Sequence, residues 1–456
     1  MKIRQFTWSA LLLAATLQGC QNNQRADQQN QADSTHQMRF SDEELMTKIQ
    51  KQTFRYFWEG AEPTSGLARE RIHMDGDYPQ NDEQVITTGG SGFGIMGIIV
   101  AMERDFISKD QGQQRLAKIV DYLGDIPRFK GAWSHWYHGD SKQVKAFSDK
   151  DNGGDLVETA FLTQALIVVR EYYKDGTPDQ KIIADKADQL WKEVNWNHYT
   201  NGGEVLLWHW SPTHEFGMNH PIQGYDECLV TYVLAASSPT HPIDTSVYHN
   251  GWARNGEIRS DAQKFGIPIG IKHNAKEGEV GPLFWAHYSF LGLNPMGLKD
   301  QYVNYQDVVQ NHARINIAYA EENPQGYKGY GADQGWGWTA SYTISGYNAH
   351  HPDNDPSVIT PTAALSSMPY TPKESLAFGR YLFDELEDKL WGEYGFYDAY
   401  SETENWFPQR YLAIDQGPII TMIENYRSGL IWDLFMQAPE IQTGLKKLGF
   451  QSPSIP

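Results

Sequence analysis

Cysteine is scarce in this chain, which contains only Cys20 and Cys228 among its 456 residues. Two cysteines allow one disulfide at most, and we expect Cys20 to be modified in another way, so a disulfide framework is excluded. Cys228 lies in an apolar run, where a lone cysteine is most often a core residue. Packing rather than cross-linking must therefore hold the fold together.

Positive charge is also in short supply. Lysine and arginine number 38 against 57 aspartates and glutamates, which gives a net charge of −19. Nucleic-acid binding depends on cations that neutralise phosphates, so this balance argues against a nucleic-acid partner and against polyanionic sugars. Aromatic residues, by contrast, make up 13% of the chain and include 15 tryptophans. Neutral ligands that stack on aromatic rings fit this composition better.

The apolar run near the N-terminus, residues 10–17, is too short to span a membrane. It follows a positively charged start and leads into Leu17-Gln18-Gly19-Cys20, which resembles the bacterial lipoprotein cleavage motif. We predict a lipoprotein signal peptide over residues 1–20, with Cys20 as the lipidation site and the lipid as the only membrane attachment. Gln21 replaces the Asp that would retain the protein in the inner membrane. We therefore expect an outer-membrane lipoprotein facing the periplasm or the cell surface, with an ordinary secretory signal as the alternative.

The rest of the chain divides into a tether and a folded body. Residues 21–39 are polar and almost free of apolar side chains, which predicts a disordered tether. We expect residues 40–456 to form a single domain, in which amphipathic helices alternate with nearly all-apolar ones. Apolar helices belong inside and amphipathic helices form an outer wall. The pattern predicts an all-α fold, an (α/α)₆ toroid of six inner and six outer helices; an open helical solenoid is the alternative.

Every predicted inner helix is preceded by a long loop. The inner helices are expected to begin near residues 89, 155, 224, 281, 360 and 414, and the outer ones to cover residues 41–58, 111–123, 179–194, 243–252, 302–319 and 372–390. In a closed ring all inner helices start at the same end, so these loops would meet there. Long loops in compact domains are usually functional.

Acidic side chains recur at the starts of three predicted inner helices. They are Asp151, Asp155 and Glu158 at the second, Asp226 and Glu227 at the third, and Asp415 at the sixth. Glycosidases need two carboxyl groups, one that protonates the leaving oxygen and one that activates water or attacks. Asp155 is equally well explained as a helix cap, because free N–H groups favour Asp there. Glu158 lies one turn further into a buried helix, where an unused carboxylate would be costly.

Aromatic residues are concentrated in the same loops. The predicted substrate-binding residues are Trp136, Trp208, Trp210, Tyr225, Asp226, Phe284, Trp285, Trp338 and Trp406. Any one such ring is more often a core residue than a ligand contact, so the prediction depends on their concentration at one end. We expect no metal or cofactor: residues 149–153 lack the ligand pattern of a calcium loop, and the paired histidines at 135/138 and 350/351 lack a third ligand.

Four motifs resemble those of the glucoamylase-like lipoproteins grouped in glycoside hydrolase family 144. They are Thr88-Gly89-Gly90-Ser91-Gly92-Phe93-Gly94, Asp151-Asn152-Gly153-Gly154-Asp155-Leu156-Val157-Glu158-Thr159, Gly224-Tyr225-Asp226-Glu227 and Asp415-Gln416-Gly417-Pro418. The resemblance covers most of the chain after the tether. It implies an (α/α)₆ fold and inverting cleavage of β-1,2-glucan, either within chains or with release of sophorose.

The resemblance also implies which acids matter, without settling which is the acid and which the base. These are Asp151, Asp155, Glu158, Glu227 and Asp415. We interpret the chain as a monomeric, inverting β-glucan hydrolase that converts β-1,2-glucan to sophorose or sophoro-oligosaccharides. Glu158 or Glu227 would donate the proton, and Asp155 or Asp415 would position or deprotonate water.

Two other functions stay open at this level. A polysaccharide lyase on the same toroid would use Tyr, His and Arg side chains, for which the candidates are Tyr225, His209, His220 and Arg314. The acidic charge balance counts against a lyase, which acts on uronic acids. A non-catalytic glycan-binding surface lipoprotein is the second alternative.

Overall fold

The computed structural model describes residues 39–455. The chain divides into two units, Met1–Glu44 and Leu45–Pro456. The predicted signal peptide, its lipidation site Cys20 and nearly all of the predicted tether lie outside the described residues, so these and the domain boundaries stay predictions. Between residues 39 and 455, no helix has both the length and the apolar content that a membrane crossing requires.

The described residues contain fourteen α-helices. They are α1 (Asp42–Trp58), α2 (Thr88–Glu103), α3 (Lys109–Asp125), α4 (Leu156–Tyr173), α5 (Pro178–Lys192), α6 (Leu229–Ser237), α7 (Thr245–Val247), α8 (Tyr305–Glu322), α9 (Pro361–Ser366), α10 (Pro372–Glu385), α11 (Glu387–Leu390), α12 (Ala413–Arg427), α13 (Leu430–Met436) and α14 (Pro439–Lys447).

The strands are short and pair into six small antiparallel sheets. They are β1 (Arg71–His73), β2 (Val85–Thr87), β3 (Trp136–His138), β4 (Val144–Lys145), β5 (Gly154–Asp155), β6 (His209–Trp210), β7 (Gln263–Lys264), β8 (Ile267–Pro268), β9 (Ala340–Thr343), β10 (Gly346–Ala349), β11 (Trp391–Gly392), β12 (Gly395–Phe396) and β13 (Arg410–Leu412). The pairs are β1–β13, β2–β3–β4, β5–β6, β7–β8, β9–β10 and β11–β12.

The inner helices are buried on every side, as their all-apolar sequences predict. In α2 every residue from Thr88 to Met102 is buried. The glycines at its start allow close packing on α4, because a Cβ at Gly92 would lie 2.6 Å from the backbone oxygen of Phe161. On its other side α2 packs against α12. The apolar surface removed from water by these contacts is the main source of stability.

The ring closes through the remaining inner elements. Helix α6 packs beside α4, and the turn Tyr288–Phe290 packs beside α6, while α9 packs against α12. The link between the fourth and fifth inner elements is a hydrogen bond between Nε2 of His287 and Oγ of Ser367 at 3.0 Å. The predicted (α/α)₆ toroid is therefore confirmed, with α1, α3, α5, α8 and α10 as amphipathic outer helices.

Local sequence explains how the outer helices begin. Ser108 and Gln111 form a reciprocal capping box at the start of α3, and Thr177 and Gln180 do the same at α5. Each box satisfies backbone N–H groups that have no partner within the helix. The outer helices then present apolar stripes to the inner ring and polar faces outward.

Several elements differ from the sequence-based expectation. The fourth inner element consists of two 3₁₀ turns, Leu283–Ala286 and Tyr288–Phe290, instead of an α-helix. The outer element expected at residues 243–252 is α7 followed by a π-turn, Tyr248–Trp252. The last inner helix, which the apolar pattern predicts to run to about residue 435, ends at Arg427. Gly429 then adopts a left-handed conformation with φ of 75°, and α13 and α14 follow.

Candidate active site

The acidic residues gather where strands lead directly into inner helices. Strand β2 precedes α2, β5 precedes α4, and β13 precedes α12. Each of these strands pairs with a strand from another loop, namely β3, β6 and β1. This strand pairing fixes the starts of three inner helices at one end of the ring, which we call the mouth.

Asp155 is both the cap of α4 and the centre of a side-chain network. One carboxylate oxygen, Oδ1, accepts the backbone N–H groups of Val157 at 3.0 Å and Glu158 at 2.9 Å. The other, Oδ2, accepts from Nδ1 of His135 at 2.9 Å and from Nε1 of Trp208 at 3.1 Å. Its side chain has no exposed surface. The capping interpretation is therefore correct for one oxygen, while the other orients two side chains of the mouth.

Glu158 lies one turn into α4, beside a cationic histidine. Its Oε2 accepts the backbone N–H of Gly89 at 2.7 Å. Burial, joined by the nearby Asp155 and opposed by His135, raises the pKa of Glu158 to about 7. Burial would lower the pKa of His135, but Glu158 and Asp155 raise it to about 10. At neutral pH the imidazolium therefore favours the ionised form of Glu158.

Glu227 approaches the same region from the turn before α6. Oδ1 of Asp226 accepts the backbone N–H of Cys228 at 2.8 Å and forms a turn. Helix α6 therefore begins at Leu229 and not near residue 224, where the sequence predicts its start. Burial, with Asp226 and Glu158 nearby, holds the pKa of Glu227 well above its ordinary value. Burial also raises the pKa of Asp226 to about 7. Unlike Glu158, Glu227 is surrounded by acids.

Asp151 contacts a buried histidine. Its Oδ1 lies 3.0 Å from Nε2 of His209, which also accepts the backbone N–H of Gly153 at 3.1 Å. Asp151, His135 and Asp155 each present a possible metal ligand within 4.8 Å of the others. The oxygens of Asp155 already accept four N–H groups, so a cation there would have to displace them.

A second group of possible metal ligands consists of Asp226, Glu227 and Cys228, whose ligand atoms also lie within 4.8 Å of one another. The backbone N–H of Cys228 already occupies one oxygen of Asp226. The expectation of a metal-free site stays a prediction.

Asp415 lies in the first turn of α12 and is almost completely buried. It borders a narrow crevice between the fourth, fifth and sixth inner elements, together with Phe284 and Tyr288. Its immediate neighbour is the carboxyl group of Asp398, which lies two residues after β12. Burial raises the pKa of Asp398. Sequence reasoning missed Asp398, although it is an acid in a loop that leads to an inner helix.

Two other residues of the mouth were not predicted as site residues. Glu70, just before β1, is buried, and burial raises its pKa. It interacts electrostatically with Glu158 and with Asp415. The sequence identified His135 as a possible metal ligand, and as a loop histidine or a group that hydrogen-bonds sugar, but not as a partner of the acids. Neither residue carries a local signal, since both act through contacts with distant parts of the chain.

The predicted aromatic binders divide into two groups. Partly exposed rings able to meet a ligand are those of Trp136, Trp208, Trp210, Phe284, Trp285 and Trp406. Tyr225 and Trp338, by contrast, are completely buried. The ring of Tyr225 packs on His273 at 4.8 Å, and Nε1 of Trp338 donates to Oδ1 of Asp355 at 3.2 Å. Both rings pack within the core, and their contact with a substrate stays a prediction.

Comparison with known proteins gives three results. The family model described as "Putative glucoamylase" matches residues 219–439. The structure of an endo-β-1,2-glucanase from Chitinophaga pinensis, in complex with sophorotriose and glucose, is 54% identical with a TM-score of 0.90, covering 91% of this chain and 100% of that one. An endo-β-1,2-glucanase from Talaromyces funiculosus, a mutant bound to β-1,2-glucan, is 12% identical with a TM-score of 0.65, covering 90% and 91%; it shows the fold alone.

A curated relative is longer than this chain. The exo β-1,2-glucooligosaccharide sophorohydrolase (non-reducing end) of Parabacteroides distasonis is 41% identical over 447 residues. The match covers 93% of this chain but 60% of that protein, so the chain spans less than two thirds of its length.

Proposed function

Because this chain belongs to glycoside hydrolase family 144, the glucoamylase-like β-1,2-glucanases, we propose that it hydrolyses β-1,2-glucan to sophorose or sophoro-oligosaccharides with inversion. The observation that carries the proposal is the contrast between two carboxyl groups of the mouth. The cation of His135 acts on Glu158, whereas burial and the neighbouring acids Asp226, Glu158 and Asp155 raise the pKa of Glu227. A glycosidase needs one protonated and one ionised carboxyl group, and these surroundings provide that difference.

We assign the proton donor to Glu227 and the base to Glu158. Burial and the neighbouring carboxylates keep the proton on Glu227, from which it passes to the leaving glycosidic oxygen. Glu158 is stabilised as an anion by His135 and by the N–H of Gly89, and its pKa of about 7 suits a base acting near neutral pH. It accepts the proton of the attacking water, directly or through a substrate hydroxyl. Asp155 acts by holding His135 in place.

The activity is tested with purified protein and linear β-1,2-glucan. Sophorose or sophoro-oligosaccharides are the expected products, and β-1,3-, β-1,4- and β-1,6-glucans serve as comparison substrates. Time-resolved proton NMR should show the α-anomer first, as inversion at a β-linkage requires. The absence of products from every β-glucan would contradict the proposed activity. A β-anomer that appears first would contradict the inverting mechanism.

Two isosteric variants separate catalysis from binding. Glu227→Gln and Glu158→Gln should each lose at least about 100-fold in kcat, because general acid–base catalysis contributes on that scale. Unchanged sugar processing in both variants would favour a binding protein. Products that absorb in the ultraviolet would favour a lyase, although Arg314 is exposed on α8 and Tyr225 is completely buried.

We also propose that the protein is a lipoprotein of the bacterial outer membrane, facing the periplasm or the cell surface. The support is the motif Leu17-Gln18-Gly19-Cys20 after a short apolar run. In cells fed labelled palmitate, the wild-type chain should incorporate the label and sediment with outer membranes, whereas Cys20→Ala should do neither. An unlabelled, soluble wild-type chain would contradict the anchor. The predicted monomeric state is checked by light scattering of the protein without residues 1–20.

A further inference from the structure

Two carboxyl groups meet beneath the start of the sixth inner helix. Asp415 is 4% exposed and Asp398 is 0% exposed. The backbone N–H of Asp398 donates to the carbonyl oxygen of Arg410 in β13 at 3.1 Å. The strand that leads into α12 therefore also fixes Asp398, and the two side chains are held together by the backbone on both sides.

Each of these carboxyl groups has an oxygen that lacks a partner among residues 39–455. These atoms are Oδ2 of Asp398 and Oδ2 of Asp415. The other oxygen of Asp398 accepts a hydrogen bond from Nε2 of Gln416 at 2.5 Å. The two carboxyl groups lie within hydrogen-bonding reach of each other. Two ionised carboxylates have no proton to share, and burying both charges without a cation would be costly.

We infer that Asp398 and Asp415 share one proton, and that Asp398 is a positioning residue that holds Asp415 in its protonated form at the mouth. The proton lies on Asp415, because the donor group of Gln416 stabilises negative charge on Asp398. Asp415 then donates its O–H to Asp398, and the pair carries a single negative charge. Asp398 has no exposed surface and cannot touch a substrate, so it acts through Asp415, which borders the crevice.

Of the two roles that the sequence suggests for Asp415, this assignment excludes deprotonating water and keeps positioning it. A protonated Asp415 would instead orient a sugar hydroxyl or a water as a hydrogen-bonding group. That role in hydrolysis rests on the proposed function, whereas the sharing of a proton does not. The two parts can therefore fail separately.

Other titratable and charged groups also face the pair. They are Glu70 and Arg71 at β1, Tyr342 and Tyr347 on the β9–β10 hairpin, Tyr288 in the fourth inner element, Tyr56 on α1, and Arg410 and Tyr411 on β13. The side chain of Arg410 is engaged with Asp75. Burial raises the pKa values of Tyr56, Tyr288, Tyr342 and Tyr411, so these side chains stay neutral over the range in which the carboxyl groups titrate. Glu70 is the one other acid among these groups, and it is present in every variant used below.

The first test is the pH dependence of stability. A carboxyl group whose pKa is raised on folding stabilises the protein at low pH, and that contribution is lost as pH rises through the unfolded value towards the folded one. Burial and the neighbouring Asp398 hold the pKa of Asp415 well above its ordinary value. The wild-type Tm should therefore fall between pH 5 and 8. Asp398→Asn still accepts from Gln416 and can donate its own N–H to Asp415, so the fall should shrink by about 2 °C or more. Equal slopes in variant and wild type would overturn the shared proton.

A matched control is Asp300→Asn. The carboxylate of Asp300 accepts the backbone N–H groups of Tyr302 and Val303, each at 2.8 Å, and the hydroxyl group of Tyr248, so its partners are N–H and O–H donors. Its substitution should leave the pH slope of Tm as in the wild type. A slope changed equally by both substitutions would show a general effect of removing a hydrogen-bonded carboxyl group and would overturn the proposal.

Infrared spectroscopy provides the second test and does not depend on activity. The wild type in D₂O at neutral pH should show the carbonyl stretch of a protonated carboxyl group, and this band should weaken in both Asp398→Asn and Asp415→Asn. A band unchanged in both variants overturns the shared proton. If the band behaves as expected but Asp398→Asn keeps the wild-type kcat and its pH profile on β-1,2-glucan, the positioning role is overturned. An inactive wild type would instead remove the proposed function and leave the infrared result standing.

Discussion

The backbone N–H of Gly89 lies 2.7 Å from Oε2 of Glu158. The first turn of one inner helix therefore binds the carboxyl group carried by the next, and both helices begin at the mouth. Free N–H groups at a helix start favour an anion, so this contact supports the ionised form of Glu158. It also requires glycine: a Cβ at position 89 would lie 2.6 Å from Oε2 of Glu158.

Replacing Gly89 by alanine should displace the carboxyl group of Glu158. The added Cβ would also meet Cδ2 of Phe161 at 3.0 Å, so neither side chain has free room. We expect kcat/KM on β-1,2-glucan to fall about 10- to 100-fold, because displacement of a catalytic group by about 1 Å costs on that scale. Gly97→Ala in the same helix is the control, since its Cβ would have no contact shorter than 3.4 Å. Full activity of Gly89→Ala would contradict the role of this contact.

Removing the cation beside Glu158 should shift the pH profile. The proposed base works only when ionised, so kcat/KM should fall as pH drops through its pKa, near 7. The positive charge of His135 lowers the pKa of Glu158, so His135→Gln should raise that pKa. The acidic limb of the pH–activity profile should then move to higher pH by about one unit. Phe147→Leu alters packing on the His135 ring, 4.3 Å away, without changing charge. It should leave the limb in place, and an unmoved limb in His135→Gln would argue against Glu158 as the base.

Two substitutions at Asp155 should separate the stability that comes from capping α4 from the stability that comes from its hydrogen bonds to His135 and Trp208. Asp155→Asn keeps an oxygen for the N–H groups of α4, but its amide faces the donors of His135 and Trp208. We expect it to lower the free energy of unfolding by about 1–3 kcal/mol, since buried donors lose their acceptor. Asp155→Ala should lose about a further 1 kcal/mol through the missing cap. Urea denaturation measures both, and equal values for the two variants would mean that the cap contributes nothing.

A buried ion pair away from the mouth should affect stability alone. Arg104, just after α2, donates from Nε and Nη2 to the two oxygens of Glu424 at 2.7 and 2.8 Å, and Glu424 is buried. Arg104→Met leaves that carboxylate with weaker partners and should cost about 2–4 kcal/mol in unfolding free energy. The exposed pair of Arg55 and Glu59 should contribute less than about 1 kcal/mol, so Arg55→Met is the control.

Because Arg104 lies at the opposite end of α2 from Gly89, kcat at 25 °C should stay at the wild-type value in Arg104→Met. A large loss of kcat in a folded Arg104→Met protein would show that the two ends of the inner ring are coupled. Circular dichroism before and after the assay confirms that the variant is folded.

The alternation of inner and outer helices was predictable because the burial of a helix is visible in its own sequence. A helix such as α2, apolar on every side, can only be an inner helix, and the capping box at Ser108 marks the start of an outer one. The fourth inner element was predicted in place but not in type. Its apolar run fits a helix and a 3₁₀ turn equally well, and contacts across the ring decide between them.

The candidate site was predictable in part. The sequence identified Asp155, Glu158 and Asp415 by their position at the starts of apolar helices. A buried carboxylate there costs free energy unless it is hydrogen-bonded or used in the reaction. The burial of Trp338 was not predictable, because the sequence of a loop does not show whether an aromatic ring faces a ligand or the core.

The sequence by itself determined the ring of paired helices, the end at which acids collect and the family to which the chain belongs. These follow from periodicity, from helix-start chemistry and from motifs, all of which act over a few neighbouring residues. Only the tertiary structure decided that His135 faces Glu158 and that Asp398 meets Asp415. The protonation of a buried carboxyl group depends on charges and donors within a few ångströms in space, and the chain brings those together from distant loops.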